Sequence, residues 1–403
     1  MTTLSGAALV LPDRTLTPGT LVIDGDRIAD LRAGSVPAGD GVSTFPQHYI
    51  VPGFIDVHVH GIEGLDTLDT AGEPNPVAAM AAKLPKYGVT AFCPTTVACA
   101  PDALARVLRA VHAVRGARAP RAARVLPAHL ESNFINPAFC GAQPVACLRT
   151  PRAALYPSRE HDRQFQAAEI LAEIEKGGAD VGIVTLAPEL EGGIDLIRRL
   201  VAQGRRVSLG HSGATFEQGQ EAIAAGARHA THLFNRMPPL GHREPGLVGA
   251  VLRSDQIAAE LICDGYHVHP ALVRTAIAAK GTSRIMAITD GTALSGLPPG
   301  SRASLGGQAI VARESAAFLP DGTIAGSVLT MDRAFRMLVR EMGLSLAEAA
   351  TICATTPARE LGLAQQGELT RGAIADLVVL DDRLSVVQTY IAGELVYSRS
   401  GTP

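Results

Sequence analysis

No two of the six cysteines in this 403-residue chain (Cys93, Cys99, Cys140, Cys147, Cys263, Cys353) form a C-x-x-C pair. That argues against a zinc ribbon or a disulfide framework; scattered thiols suit a reducing cytoplasm. A basic block is also missing. The formal net charge is −3 and arginine supplies nearly all the positive charge, so the chain lacks the electrostatic footprint of a nucleic-acid binder. No apolar run approaches the roughly 18 residues of a membrane span. The opening "MTTLSGAALVLPDRTLTPG" has no cationic stretch ahead of a long apolar one, so no secretory leader is expected. What is present is ample core material, 47 % hydrophobic against 19 % charged residues, enough for one large fold or a core with an accessory piece.

The central part alternates short β-branched runs with Ala/Leu/Arg helical patterns. Strands are predicted at 53–60, 89–96, 124–132, 181–189, 205–212, 229–235, 258–265 and 284–291, with helices such as 101–115, 163–176, 193–203, 215–225 and 270–280 between most of them. Eight such units predict an α/β fold, a (β/α)8 TIM-type barrel over 51–363. Both ends of the chain read differently. Residues 1–50 and 364–403 are strand-rich, with a D-G turn in "TLVIDGDRIADL" and an A-G turn at Gly393, and together predict one small β-sandwich domain. A β-hairpin insertion is expected near 297–326. Residues 328–363 read as helical, with a start signal at Ser345 and Glu348. The Pro- and Cys-containing stretch 133–160 reads as a long loop.

The stretch "IVPGFIDVHVHG" at 50–61 ends the first barrel strand with two histidines one residue apart. Side chains alternate along a strand, so His58 and His60 share a face. Other predicted strands also carry a polar group at or just after their C-terminal ends: Glu131, His211, His232 and Asp290. This is the rim where such barrels place catalysis. Imidazole nitrogens and carboxylate oxygens suit zinc and similar divalent ions, and Glu131 is the carboxylate placed to bridge two of them. A cation there would activate water, with Asp290 taking its proton and passing it to a leaving group. His48, His112, His161 and His242 have no such placement. His129 shares a face with Glu131 and reads as a packing or supporting residue; His229 falls on the face opposite His232.

Taken in order, "PGFIDVHVHG", "HLE" (129–131), "GHS" (210–212), "THLFN" (231–235), "HREPG" (242–246), "DGYHV" (264–268), "TDG" (289–291) and "AGSVLTM" (325–331) resemble the N-acetylglucosamine-6-phosphate deacetylases of the amidohydrolase superfamily. The resemblance runs from about residue 4 to 398. It implies hydrolysis of the N-acetyl group of N-acetyl-D-glucosamine 6-phosphate to glucosamine 6-phosphate and acetate. It implies one or two divalent ions, the first on Glu131, His211 and His232, and the second, found in members that keep the H-x-H pair, on His58 and His60 with Glu131 and Asp290; zinc is expected, with iron(II) the other option. Asp290 would be general base and then general acid. Asn235 and His267 would contact the sugar and its phosphate, and Arg243 would reach the neighbouring pocket of a homodimer.

Three departures fall on the substrate side. "HLESN" puts Ser132 and Asn133 where the family reads G-P, Gln143 replaces a substrate-contacting histidine, and Arg236 replaces a small alanine beside Asn235. Arg236 is therefore a candidate phosphate contact, and an alternative substrate, another N-acyl amino sugar phosphate or an N-acyl amino acid, stays open. Cyclic-amide chemistry is disfavoured because "VGIVTLAPE" offers no lysine for carboxylation, and "GHSGATFE" lacks the H-A-G-E run of the adenosine-deaminase relatives. A catalytically dead barrel acting as a binding protein is the reading of another class; the loss of a ligand would favour it, and none is lost.

Overall fold

The computed structural model describes residues 1–70, 72, 74–116, 121–156 and 164–400. Residue 163 of the expected helix, the last four residues of the 133–160 loop and His161 lie outside the described residues.

Eight parallel strands form the barrel: β1 (Phe54–Val59), β2 (Val89–Thr96), β3 (Ala128–Glu131), β4 (Val181–Leu186), β5 (Arg206–Leu209), β6 (His229–Ala230), β7 (Ala258–Ile262) and β8 (Ile285–Ile288). Each pairs with the next in sequence order. The ring closes where Asp290 N–H donates to the His58 carbonyl at 2.9 Å and His60 N–H to the Gly291 carbonyl at 2.8 Å. Helices lie between strands, among them Pro101–Gly116, Ala167–Lys176, Gly193–Ala202, Phe216–Ala224 and Pro270–Lys280. Every residue of β1 is buried, as expected for a parallel strand covered on both faces.

Most strands are shorter than their apolar runs. β6 is two residues long where 229–235 reads as strand, and the third run is split into Arg124–Val125 and β3. The fifth, sixth and eighth strands stop early because of local backbone geometry. His211, His232 and Asp290 have φ of 49°, 29° and 47°, left-handed conformations that break the ladder and are uncommon for residues other than glycine.

The chain ends share one sheet, in the order Glu394–Ser398, Val386–Ile391, Leu377–Leu380, Tyr49–Pro52, Thr2–Val10, Thr15–Asp24, Arg27–Ala33, with Val42–Thr44 beside Thr2–Val10. Ala392 and Gly393 both have positive φ, which matches the twist of the strands they join. Arg124 binds Asp376 at 2.7 Å and ties this sheet to the barrel. The segment expected as one hairpin is a four-stranded antiparallel meander, Arg302–Leu305, Gln308–Ala312, Ala316–Phe318 and Ile324–Ser327. Its extra turns are made at 313–315 and at Asp321–Gly322. Ser345 and Glu348 form the expected reciprocal cap. Among the described residues no helix is long and apolar enough to cross a membrane.

Candidate metal centre and substrate cavity

Glu131, at the end of β3, lies at the centre of the rim. Its Oε1 is 2.8 Å from His211 Nε2 and 2.9 Å from His232 Nε2, and these two nitrogens are 3.0 Å apart. Its Oε2 lies 3.5 Å from His60 Nε2. His58 Nε2 and His60 Nε2 approach to 3.2 Å, and Asp290 Oδ1 is 3.5 Å and 3.2 Å from them. Thus all six candidate ligands meet, all of them buried, and two sets of three, His58/His60/Glu131 and Glu131/His211/His232, each bring their donor atoms within 4.8 Å.

The fit to a cation follows from proton positions. His211 Nδ1 lies 2.9 Å from the Phe139 carbonyl; a carbonyl only accepts, so Nδ1 carries the proton and Nε2 presents a lone pair. That lone pair faces a carboxylate oxygen and another imidazole. Facing acceptors in a dry site repel, so the arrangement requires positive charge between them. The same demand shows in the titration. Burial alone would depress His232, but the hydrogen bond and charge of Glu131 outweigh it and raise the ring to about 9. Burial pushes the Asp290 carboxyl up, while His58 and His60 outweigh it and hold it below the usual carboxylate value. Two imidazoles and a carboxylate form a donor set suited to zinc or a similar ion.

Supporting contacts fix these groups. Ser327 donates its N–H to the Asp290 carbonyl at 2.8 Å and its hydroxyl to the Thr289 carbonyl at 2.6 Å. A Cβ on Gly326 would come within 2.9 Å of that Asp290 oxygen, so the "AGS" turn must carry glycine there. Glu189 accepts from Ser212 Oγ at 2.7 Å and Gly213 N–H at 2.6 Å, which clamps the turn that carries His211. Glu260 accepts from His58 Nδ1 at 2.9 Å. Sequence reasoning assigned no role to Glu189, Glu260 or Ser327. For Glu260 a signal existed, one carboxylate inside the apolar strand "AAELI".

Above the candidate ligands opens a cavity of about 540 Å³ lined by His60, Glu131, His211, His232 and Asp290 together with Phe139, Gln143, Phe234, Asn235, Arg236, Met237 and His267. Gln143 accepts the Ala98 N–H at 2.7 Å through Oε1, so its Nε2 faces Glu131 Oε2 and donates to it. His267 Nδ1 is held by Asp264 Oδ2 at 2.6 Å, and its buried Nε2 has no hydrogen-bond partner. Arg236 is exposed at the rim, with its side chain over Gly141. Asn235 holds the His232 carbonyl through Nδ2 at 3.3 Å. Arg243 is exposed in the loop before the helix Gly246–Arg253 and does not line the cavity. His129 is buried beneath the ligands, and His229 lies away from them, with Nε2 3.8 Å from Glu360.

Comparisons with known proteins point the same way. The profile of the amidohydrolase family matches residues 49–396. The chain is 37 % identical over 351 residues to N-acetylglucosamine-6-phosphate deacetylase of Lysinibacillus sphaericus, covering 86 % of this chain and 85 % of that one. It is 36 % identical over 371 residues to N-acetylgalactosamine-6-phosphate deacetylase of Escherichia coli O157:H7, covering 92 % and 93 %. Among solved structures, a variant of the Mycobacterium smegmatis N-acetyl-D-glucosamine-6-phosphate deacetylase in complex with N-acetyl-D-glucosamine-6-phosphate superposes with a TM-score of 0.87 at 32 % identity, covering 98 % of this chain and 99 % of that one. The chain belongs to the amidohydrolase family, alongside the N-acetyl amino sugar phosphate deacetylases.

Proposed function

We propose that the protein hydrolyses the N-acetyl group of N-acetyl-D-glucosamine 6-phosphate, giving glucosamine 6-phosphate and acetate. The observation that carries this reading is the meeting of Glu131, His211 and His232 beside Asp290 at the floor of a cavity, in a chain of this family. Glu131, His211 and His232 would hold one divalent ion, zinc or iron(II), and His58 and His60 with Glu131 and Asp290 a second. Such an ion supplies Lewis acidity, which polarises an amide carbonyl and acidifies water. Asp290 takes the proton of the attacking water on its carboxylate and returns it to the amine nitrogen as the C–N bond breaks. His267 Nε2, with Nδ1–H engaged by Asp264, offers a fixed acceptor to a sugar hydroxyl, and Asn235 faces the same cavity. Six unpaired cysteines suit a cytoplasmic enzyme.

Acetate release from N-acetylglucosamine 6-phosphate, its galactosamine isomer, the unphosphorylated sugars and N-acyl amino acids tests the reading directly. Turnover is expected with the glucosamine phosphate, to be lost on chelation and regained with zinc or iron(II). No turnover of any sugar phosphate in metal-loaded protein would refute it. The galactosamine isomer is the second reading, favoured by the E. coli relative.

Arg236 offers a planar fork suited to a phosphate. Arg236→Ala is expected to raise KM for the phosphorylated substrate about 10- to 100-fold, the scale of a charged hydrogen bond, with little change for the unphosphorylated sugar. An equal loss on both would remove Arg236 from the phosphate site. Arg243 belongs to the neighbouring copy's pocket in a homodimer on this reading. Co-expressed Arg243→Ala and Asp290→Asn chains, each inactive alone, should then recover roughly a quarter of wild-type activity through mixed dimers; no recovery would oppose a shared site.

A further inference from the structure

Below the rim, the barrel interior holds a buried polar layer that the reaction outlined above does not use. Ser208 Oγ and Thr231 Oγ1 are 2.6 Å apart, Thr231 and Thr185 Oγ1 2.7 Å, and Thr185 Oγ1 and His129 Nε2 2.8 Å. His129 Nδ1 lies 3.0 Å from the Val57 carbonyl. That carbonyl only accepts, so His129 carries its proton on Nδ1 and takes the Thr185 hydroxyl on Nε2. Its ring, set edge-on against His58 at 4.5 Å between centroids, is therefore fully committed and is no ligand.

Glu260 is the odd member. It is fully buried on β7, one carboxylate in an otherwise apolar strand. The side-chain group that it meets at hydrogen-bond distance is His58 Nδ1, at 2.9 Å, and its Oε1 has no hydrogen-bond partner. The His232 N–H approaches Oε2 at 3.4 Å. Burying a carboxylate this way costs several kcal/mol unless positive charge compensates it. The far side of the His58 ring faces the donor set that a cation would join, because Nε2 points at His60, Glu131 and Asp290.

We propose that Glu260 is the positioning residue of the second cation position: its carboxylate holds the proton of His58 on Nδ1 and so turns the Nε2 lone pair toward His60, Glu131 and Asp290. This rests on the metal-centre reading and adds to it. The position on Glu131, His211 and His232 has its own anchor, the Phe139 carbonyl on His211 Nδ1, and Glu260 approaches it only at the His232 backbone N–H, at 3.4 Å.

Zinc stoichiometry by elemental analysis, with affinities from chelator competition, tests the assignment without measuring activity. Wild-type protein is expected to take two ions per chain. Glu260→Leu, of similar size and with no acceptor, should leave the tighter ion unchanged and weaken the other by about 10- to 100-fold, as outer partners of metal-bound histidines do. Glu260→Gln, with a neutral acceptor in the same place, should restore most of that affinity. Equal weakening of both ions by Glu260→Leu would mean a merely structural role and overturn the proposal, as would unchanged affinities or a wild type that takes one ion. A wild type that takes none would sink the metal-centre reading itself. If Glu260→Leu does not fold, histidine ¹⁵N spectra of the metal-free wild type decide: Nδ1–H on His58 supports the assignment, and Nε2–H overturns it.

Discussion

Asp290→Asn is expected to lower kcat by about 10³- to 10⁴-fold, the upper part of the range for general acid–base catalysis, because one group serves both proton transfers. Several observations make this a clean test. Asparagine has nearly the same shape and is among the few residues that tolerate the φ of 47° found there. The backbone contacts that hold the turn, Asp290 N–H to the His58 carbonyl and Ser327 N–H to the Asp290 carbonyl, do not involve the side chain. The candidate metal position on Glu131, His211 and His232 does not include Asp290, so an ion held there should stay. KM should move little, since the amide loses no binding contact. Metal analysis alongside steady-state kinetics reads all three quantities. Turnover within tenfold of wild type would assign the proton transfers elsewhere, and loss of the tight ion would make Asp290 a ligand first and a base second.

The convergence of the six candidate groups was legible in the sequence because strand chemistry is periodic. His58 and His60 sit two apart in an apolar run, and Glu131, His211, His232 and Asp290 each follow such a run. The barrel was legible for the same reason, through eight runs separated by helical patterns. Strand ends were not, because "THLFN" and "LGHS" continue the apolar pattern after the ladder has stopped. What stops it, left-handed backbone at His211, His232 and Asp290, is a strain that residue type alone does not announce. The meander after β8 was half legible, its glycine turns marking a hairpin but not a second pair of strands. Glu260 went unseen for another reason. A lone carboxylate in "AAELI" fits an outward-facing position as well as an inward one, and only the pairing of β7 with its neighbours settles the face. Gln143 shows the same limit on the substrate side. Its place in the "GAQ" turn is readable, whereas its hydrogen bond to Glu131 depends on how a long loop returns to the rim.

Glu131→Gln should have the larger effect on composition, because this carboxylate is the one group shared by both candidate metal positions. Oε1 meets His211 and His232, and Oε2 faces His60 and takes the Gln143 amide. A carboxamide removes the negative charge from the centre of five ligands and offers at best one neutral oxygen. Both ions should be lost on gel filtration. With them goes Lewis-acid stabilisation of several kcal/mol, so activity should fall by about 10⁴-fold or more. The fold should survive, since barrel closure runs through the backbone of His58, His60, Asp290 and Gly291 and not through Glu131. Gln143→Ala is the matching control. It removes one donor from Oε2 but leaves the charge, so metal content should persist while substrate affinity reports what that side chain does. If Glu131→Gln kept two ions, the carboxylate would not be the bridge, and the convergence of His211 and His232 on its Oε1 would require another source of positive charge.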